Sequence, residues 1–517
     1  MINDETAKVI DDPDDIKFLK KVAPDAKKKF VGRHEEMMSK KSKKESNELI
    51  NYLFQITSSD KKQAEKISIV SEILKDYFLD NYHIYTIRES KAVEPEMWIY
   101  KEGIYIPCGE TYIKEKIMEI LGNKFGNSYV NNTLTKLQVT TYISLDEFFK
   151  EDDEYILPVA NGLLNVKTLK KEEFDPEKRF FSKINAMYLP TADCPKIKKF
   201  ISEIVRKQDI PLIQEMFGFC LVRKYFLKKA YMLLGKTDAG KSKLLQLLHT
   251  FLDYKNCSSV PLHQLMEENF MLWKLHGKLA NISADISNKS ILSDALFKRL
   301  VGEDPLTADR KWKEAIEFFN YAKILNACND LPKTYTYDNA FFNRWILIKF
   351  PNQFKIKKEY TVLSKKEREE EHIYLAKPNI LETIIDINEL NGLLIWALEG
   401  LKRLIKKGEF SYNKTAEEIK LEWLKDSNSF EAFFYDTMEE TKTYDFHETK
   451  EEVKNLYKNY CKEHKLKIES DKVIKNTLER EHGAYDKKVS YHEDDDVPAI
   501  RIMVWAGVRF KENGEEL

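Results

Sequence analysis

Hydrophobic and polar positions follow two periods along this chain, and the changes between them mark its elements. Over 61–80 the apolar residues Ile67, Ile69, Val70, Ile73, Leu74 and Phe78 recur at helical spacing. Over 83–106 the pattern shortens to HIYTI, MWIY and GIYIP, with Gly103 as a turn, which predicts strands. Residues 113–126 are helical again, ISLDEFF follows at 143–149, and YILPVANGLLNV at 155–166 carries the turn pair Asn161-Gly162. Helices over 197–205 and 212–221 lead into four apolar residues at 231–234, a buried strand. Leu244, Leu245, Leu247, Leu248 and Phe251 then form a helical stripe.

The second half reads in the same way. Strands are expected at 279–283 and 322–325, and Ser293 caps a helix that runs through Leu300 and ends at Gly302. Two short strands surround Arg310, Lys311 and Lys313, and 338–351 passes from helix to strand. Residues 354–377 read as an exposed, charged connection with some helix. Strongly amphipathic helices follow at 390–405, ending at Gly408, and at 415–426. Beyond 430, Thr449-x-x-Glu452 is a capping box, 471–480 is a second short helix, and strands at 485–491 and 499–509 flank an acidic turn. Helix, helix and a two-stranded wing is the winged-helix plan, in which the second helix, with Lys472 and Lys475, contacts DNA; a small protein-interaction unit is the alternative. The expected division is a charged arm at 1–65, an α+β unit at 66–210, an α/β core at 211–427 and the small unit at 428–517.

Composition narrows the class. Of 517 residues, 84 are Lys or Arg and 85 Asp or Glu, so any nucleic-acid binding must come from local basic patches. The lysine-rich first 60 residues read as a solvated arm; few aromatics there speak against a stacking surface. Six cysteines without a C-x-x-C pair predict no zinc site or disulfide framework and fit a reducing compartment. No apolar run is long enough to span a membrane.

One stretch carries chemistry. Gly235-Lys236-Thr237-Asp238-Ala239-Gly240-Lys241-Ser242 matches G-x-x-x-x-G-K-[ST] between a predicted strand and a predicted helix. The glycines let successive N–H groups turn toward phosphate oxygens, and the helix start adds its positive dipole end. Lys241 would reach the β- and γ-phosphates of ATP, and the Ser242 hydroxyl would ligate Mg2+. Asp285, just past the 279–283 strand, is placed to hold that metal; a turn aspartate is the alternative. Asn326 and Asn329 end the next strand, where an amide can orient water or sense the γ-phosphate. Arg344 stands at a helix-to-strand join, placed to stabilise phosphoryl charge or to form an ion pair.

The order of P-loop, GKLANISADIS, GEDPLTADRKWKE, KILNACNDLP and DNAFFNRWILIKF resembles the superfamily 3 helicases at the C-terminal end of phage and plasmid primases and of poxvirus-type primase-helicases. The resemblance runs from the NGLL segment at 161 through the helix near 391–406, and extends upstream to about 75. It implies an AAA+-like P-loop ATPase core with a helicase-associated α+β domain before it and a winged helix after it. It also implies that Lys241, Asp285, Asn329 and Arg344 are the catalytic set, with Ser242 and Asp285 on Mg2+. By the same likeness Arg310, Lys311 and Lys313 grip single-stranded or forked DNA in the pore of a ring, usually a hexamer. Arg344 would act on the neighbouring copy's ATP. The scattered cysteines fit residence in the host cytosol, and because the first 70 residues show no primase pattern, any priming activity would need a separate primase or polymerase partner. One departure stands out: Ala284 precedes a single acid, Asp285, where many relatives carry paired acids or a glutamate. A ring that remodels or loads DNA without processive unwinding is the competing expectation.

Overall fold

The structure, a computed structural model, describes residues 49–88, 95–150, 153–284, 294–310, 313–332, 334, 338–412, 414–441, 447–491 and 500–511. The expected strands at 83–106 are β1 (Ile84–Ile87), β2 (Glu96–Lys101) and β3 (Ile104–Ile106), joined by β4 (Tyr142–Ile143) in a sheet of order β3-β2-β1-β4. Helices Gln63–Asn81, Gly109–Leu121 and Asn127–Thr140 cover it. The last was not legible as a separate element: its face is built on Tyr129, Val130, Thr133, Leu134 and Leu137, a mixed and weakly apolar set. Two expectations are corrected. Residues 49–58 are helical and Leu53 lies in this unit's core, so the unit begins before 66. The hairpin of β5 (Ile156–Val159) and β6 (Gly162–Asn165), which β7 (Lys171–Glu172) extends, packs through Leu157, Val159 and Leu164 into the next core; the boundary therefore falls before 157, not at 210.

That next core is a five-stranded parallel sheet built from β8 (Ala230–Leu234), β9 (Cys257–Ser258), β10 (Ala280–Ser283), β13 (Lys323–Cys328) and β14 (Trp345–Lys349). The intervening β11 (Pro305–Arg310) and β12 (Lys313–Phe319) form a separate antiparallel hairpin. The sheet order is β14-β8-β13-β10-β9, and every pair is parallel. All five residues of β8 and all six of β13 are buried, as a sheet covered on both faces requires.

Two long-range contacts fix the helices that cover this sheet. Helix Ile210–Phe219 lies against helix Ile387–Lys407 through facing glycines. A Cβ on Gly218 would sit 2.4 Å from the Ala397 carbonyl oxygen, and one on Gly400 2.5 Å from that of Gln214. Beside them the fully buried Glu215 accepts from Arg403 Nε at 2.6 Å and from the Ser411 amide and hydroxyl. The buried carboxylate is thus paired and hydrogen-bonded, the condition under which burial is tolerated.

Residues 353–377 are more ordered than the expected connection. β15 (Gln353–Lys355) and β16 (Ile373–Leu375) pair in parallel, and they sit against the glycine loop. The C-terminal unit begins within helix Ala416–Ser427, with Trp423 in the sheet's core and Leu424 in the next. It contains helices Ser429–Thr437, Lys450–His464 and Asp471–Asn476 and the strands β17 (Met438–Glu440), β18 (His447–Thr449), β19 (Tyr485–Tyr491), β20 (Ile500–Ala506) and β21 (Val508–Phe510), with β18-β20-β19 as one antiparallel sheet. Thr449 accepts from the Glu452 amide at 3.1 Å, which is the N-terminal cap expected there.

Candidate active site

Strand β8 ends at Leu234 and helix Lys241–Leu252 begins seven residues later, so the glycine loop lies beyond the carboxyl end of a parallel strand. That is where ligands of open α/β sheets sit. Gly240 has φ +93°, and a Cβ there would meet Ile204 Cγ2 at 2.8 Å; a Cβ on Gly235 would meet the Phe350 carbonyl oxygen at 2.8 Å. Both positions therefore need the absence of a side chain, the first also for its backbone conformation. Asp238 holds φ +63°. The β15 segment secures it: Phe354 N–H donates to its carbonyl at 2.9 Å, and Lys355 reaches its carboxylate at 3.3 Å. Gln353 Nε2 donates to the Thr237 carbonyl at 3.2 Å. Lys236, Thr237 and Asp238 are exposed while Ala239 is buried, so the loop presents its polar edge outward.

Lys241 is buried, and its ammonium donates to the carbonyls of Gly235 and Lys236 and to Asn329 Oδ1, the last two at 2.9 Å. Asn329 follows the last residue of β13, the strand paired with β8, and its Nδ2 donates to Thr237 Oγ1 at 3.4 Å. The sheet thus brings together two residues that the sequence singled out separately. Ser242, next along the helix, is exposed and can offer its hydroxyl to a metal on the loop's open side. Asp285 lies outside the described residues, so only Ser242 of the expected Mg2+ ligands has a place. Among the described residues no cluster of three or more His, Cys, Asp or Glu side chains is arranged to hold a metal.

Arg344 lies at the other end of the sheet. It precedes Trp345, which pairs with Ala230 at the start of β8, whereas Lys349 pairs with Leu234 at its end. Five strand residues at about 3.3 Å each put Arg344 roughly 16 Å along the strand direction from its own glycine loop. Its Nη1 donates to the Ala340 carbonyl at 2.6 Å.

The basic residues expected on DNA divide. Lys311 lies outside the described residues, as does the side chain of Lys313. Arg310 stands beside the hairpin turn, paired with Lys313, but it is buried: it is 8% exposed, and its guanidinium lies 4.9 Å from the Trp273 ring centre. Burial, with the Arg310 and Lys278 charges adding to it, depresses the neighbouring His276 to about 4, so that imidazole is neutral. Lys475 pairs with Asp486 at 3.2 Å and Glu479 at 3.4 Å, which offsets its charge, while Lys472 is exposed. Sequence reasoning missed the β15 clamp on the loop, because its partners are the main-chain groups of a distant segment. It read Asn326 with Asn329 at a strand end. Asn326 is instead fully buried within β13, and neither amide atom has a hydrogen-bond partner.

Residues 17–206 match the family described as D5 N terminal like, and residues 233–344, from β8 to Arg344, match a family of unknown function (DUF5906). A protein of Acanthamoeba polyphaga mimivirus that carries the name of a helicase is 24% identical over 336 residues, 62% of this chain. The match spans 34% of that relative's length. Structures of the C-terminal region of NrS-1 overlie 84% of this chain and 98% of theirs, at 12–14% identity and TM-scores of 0.36 to 0.38. The chain is of mixed α/β class, with a parallel sheet at its centre. The match to the D5 N terminal like family and the viral relative support a relationship to the phage and viral primase-helicases. No helix among the described residues is long and apolar enough to cross a membrane.

Proposed function

We propose that the chain is an ATP-dependent DNA helicase of a virus, phage or plasmid, built on an AAA+-like core and working as a ring on single-stranded DNA. The observation that carries this is the meeting of Lys241 with Asn329 beyond the parallel sheet, while Arg344 stands at the sheet's opposite end. The loop whose glycines leave room for phosphate oxygens fits a nucleoside triphosphate. Lys241 exchanges its present carbonyl partners for the β- and γ-phosphate oxygens, and Asn329 orients water or reads the terminal phosphate. Ser242, with Asp285, would hold Mg2+, which when bound neutralises phosphate charge. Arg344 lies too far from its own loop to touch the same nucleotide. In a head-to-tail ring it would meet the neighbour's, so each site would be completed at a seam. Hydrolysis at the seam would move the β11–β12 hairpin, and with it the DNA strand. The small C-terminal unit, read as a winged helix, would offer Lys472 to duplex DNA.

The test is Lys241→Ala on a forked substrate. ATP turnover and strand displacement are expected to vanish while DNA binding remains measurable. Unwinding that survives this substitution would reject the proposal. Turnover without strand displacement in the unmodified protein would favour an origin-remodelling or loading ATPase.

A further inference from the structure

We infer that the chain at 329–332 and helix Ala416–Ser427 form a coupling device through which phosphate on Lys241 shifts the C-terminal unit. This rests on nucleotide binding at the glycine loop as proposed above, and not on the ring, Arg344 or DNA. At one end, Asn329 Oδ1 accepts from the Lys241 ammonium at 2.9 Å. Two residues on, the Leu331 amide donates to the Asp426 carboxylate, and the Pro332 carbonyl accepts from Trp423 Nε1 at 2.7 Å. Trp423 and Asp426 are three positions apart, on one face of the helix. Trp423 is fully buried against Trp345, Phe341 and Phe342, at ring-centre distances of 5.4 to 6.1 Å. Burial raises the pKa of Asp426 and the Leu331 amide works against that rise, so the carboxylate depends on the bond.

The far end of the helix is fastened as closely. Leu424 lies in the core of the C-terminal unit, and Asn428 alone separates the helix from Ser429–Thr437. Asn428 caps that second helix by accepting from the Glu431 amide at 3.3 Å, and its Nδ2 donates to Thr477 Oγ1 at 3.2 Å. At the site end, two residue steps join Asn329 to Leu331, about 7 Å of chain at most. Phosphate oxygens arriving at Lys241 compete with Asn329 for its ammonium. The 329–332 chain therefore has two arrangements, one for the empty loop and one for the filled. Leu331 and Pro332 are buried, so a shift that left Asp426 or Trp423 behind would leave main-chain groups unpaired away from water. The helix moves with them instead. Linkage runs both ways: whatever holds the C-terminal unit in one position changes nucleotide affinity by the same factor.

Hydrogen exchange read by mass spectrometry on the full chain, with and without a non-hydrolysable ATP analogue and Mg2+, tests this. In the unmodified chain the amides of Ser429–Thr437 should change their exchange rates by about fivefold when the analogue binds, the low end of coupling between distinct sites. Trp423→Phe removes the donor to Pro332 and keeps a ring in the core; Asp426→Ala removes the acceptor for Leu331. Each, once circular dichroism shows it folded, should still bind the analogue, and the change at 429–437 should vanish. Asp426→Asn keeps an acceptor oxygen and should retain the response, which also covers the case in which Asp426→Ala does not fold. Analogue bound to the unmodified chain with 429–437 unaltered would overturn the coupling and leave the nucleotide reading standing. So would an undiminished response in folded Trp423→Phe and Asp426→Ala. Failure of the unmodified chain to bind the analogue at all would overturn both.

Discussion

The Nζ of Lys241 and the Oδ1 of Asn329 lie 2.9 Å apart although 88 positions separate them in the chain. Strand pairing produces this: Cys328 pairs with Leu234, so the loops that leave the two strands emerge together. The ammonium is parked on Asn329 and on the carbonyls of Gly235 and Lys236, partners that phosphate oxygens can replace.

That contact makes Asn329→Asp informative. A carboxylate there would hold the ammonium as an ion pair and would face the incoming phosphates with like charge. Nucleotide binding should weaken about tenfold or more, since one pKa-unit-sized interaction is about 1.4 kcal/mol. Asn329→Ala should keep its affinity and lose turnover. Titration with a fluorescent nucleotide analogue checks both, and unchanged affinity in Asn329→Asp would count against the parked-lysine arrangement.

Gly400→Ala separates packing from helix propensity. In an exposed helix interior this substitution stabilises by about 1 kcal/mol. Here the new Cβ would lie 2.5 Å from the Gln214 carbonyl oxygen, and Gly218 faces Ala397 just as closely. The two helices must separate, so a net loss of about 1–3 kcal/mol is expected. Chemical denaturation followed by fluorescence measures it; a gain in stability would show that the helices do not meet in this way.

Much of the fold was legible because its elements are locally consistent. The strand, loop and helix at 230–252 follow from four apolar residues, two glycines and a leucine stripe. Helix Ile387–Lys407 announces itself by its apolar face and by Gly408, which holds φ +72°. What stayed hidden depends on partners far away in sequence. The close helix crossing at Gly218 and Gly400, the clamp of β15 on Asp238 and the burial of Arg310 against Trp273 have no local pattern. The domain boundary was misplaced for the same reason. The β5–β6 hairpin has the strand signature of the N-terminal unit, yet its leucines complete the core of the next one. Of the candidate site, Lys241 and Asn329 were readable from motif and strand end.

The C-terminal unit should respond to pH through His482. Its Nε2 lies 3.1 Å from both Glu431 carboxylate oxygens, its Nδ1 lies 3.0 Å from Glu440, and its ring stacks on Phe434 at 3.5 Å. Burial alone would lower its pKa, but the hydrogen bonds and charges of Glu431 and then Glu440 outweigh that and raise it. A raised folded-state pKa stabilises fully below the unfolded value of about 6.5 and is lost as pH climbs through the folded value. The unfolding temperature of this unit should therefore fall as pH rises above neutrality, and His482→Gln should flatten that dependence. Scanning calorimetry across this range decides it; identical profiles for the two proteins would contradict the assignment.

The claim on which the function rests is that each catalytic site is shared between two copies, because Lys241 and Arg344 occupy opposite ends of one sheet. Electron microscopy of the chain with a non-hydrolysable ATP analogue, Mg2+ and single-stranded DNA tests it directly. The expected result is a ring in which Arg344 of each copy hydrogen-bonds the phosphates held by Lys241 of the next. A monomer with nucleotide bound, or a ring whose Arg344 side chains lie away from every nucleotide, would contradict it.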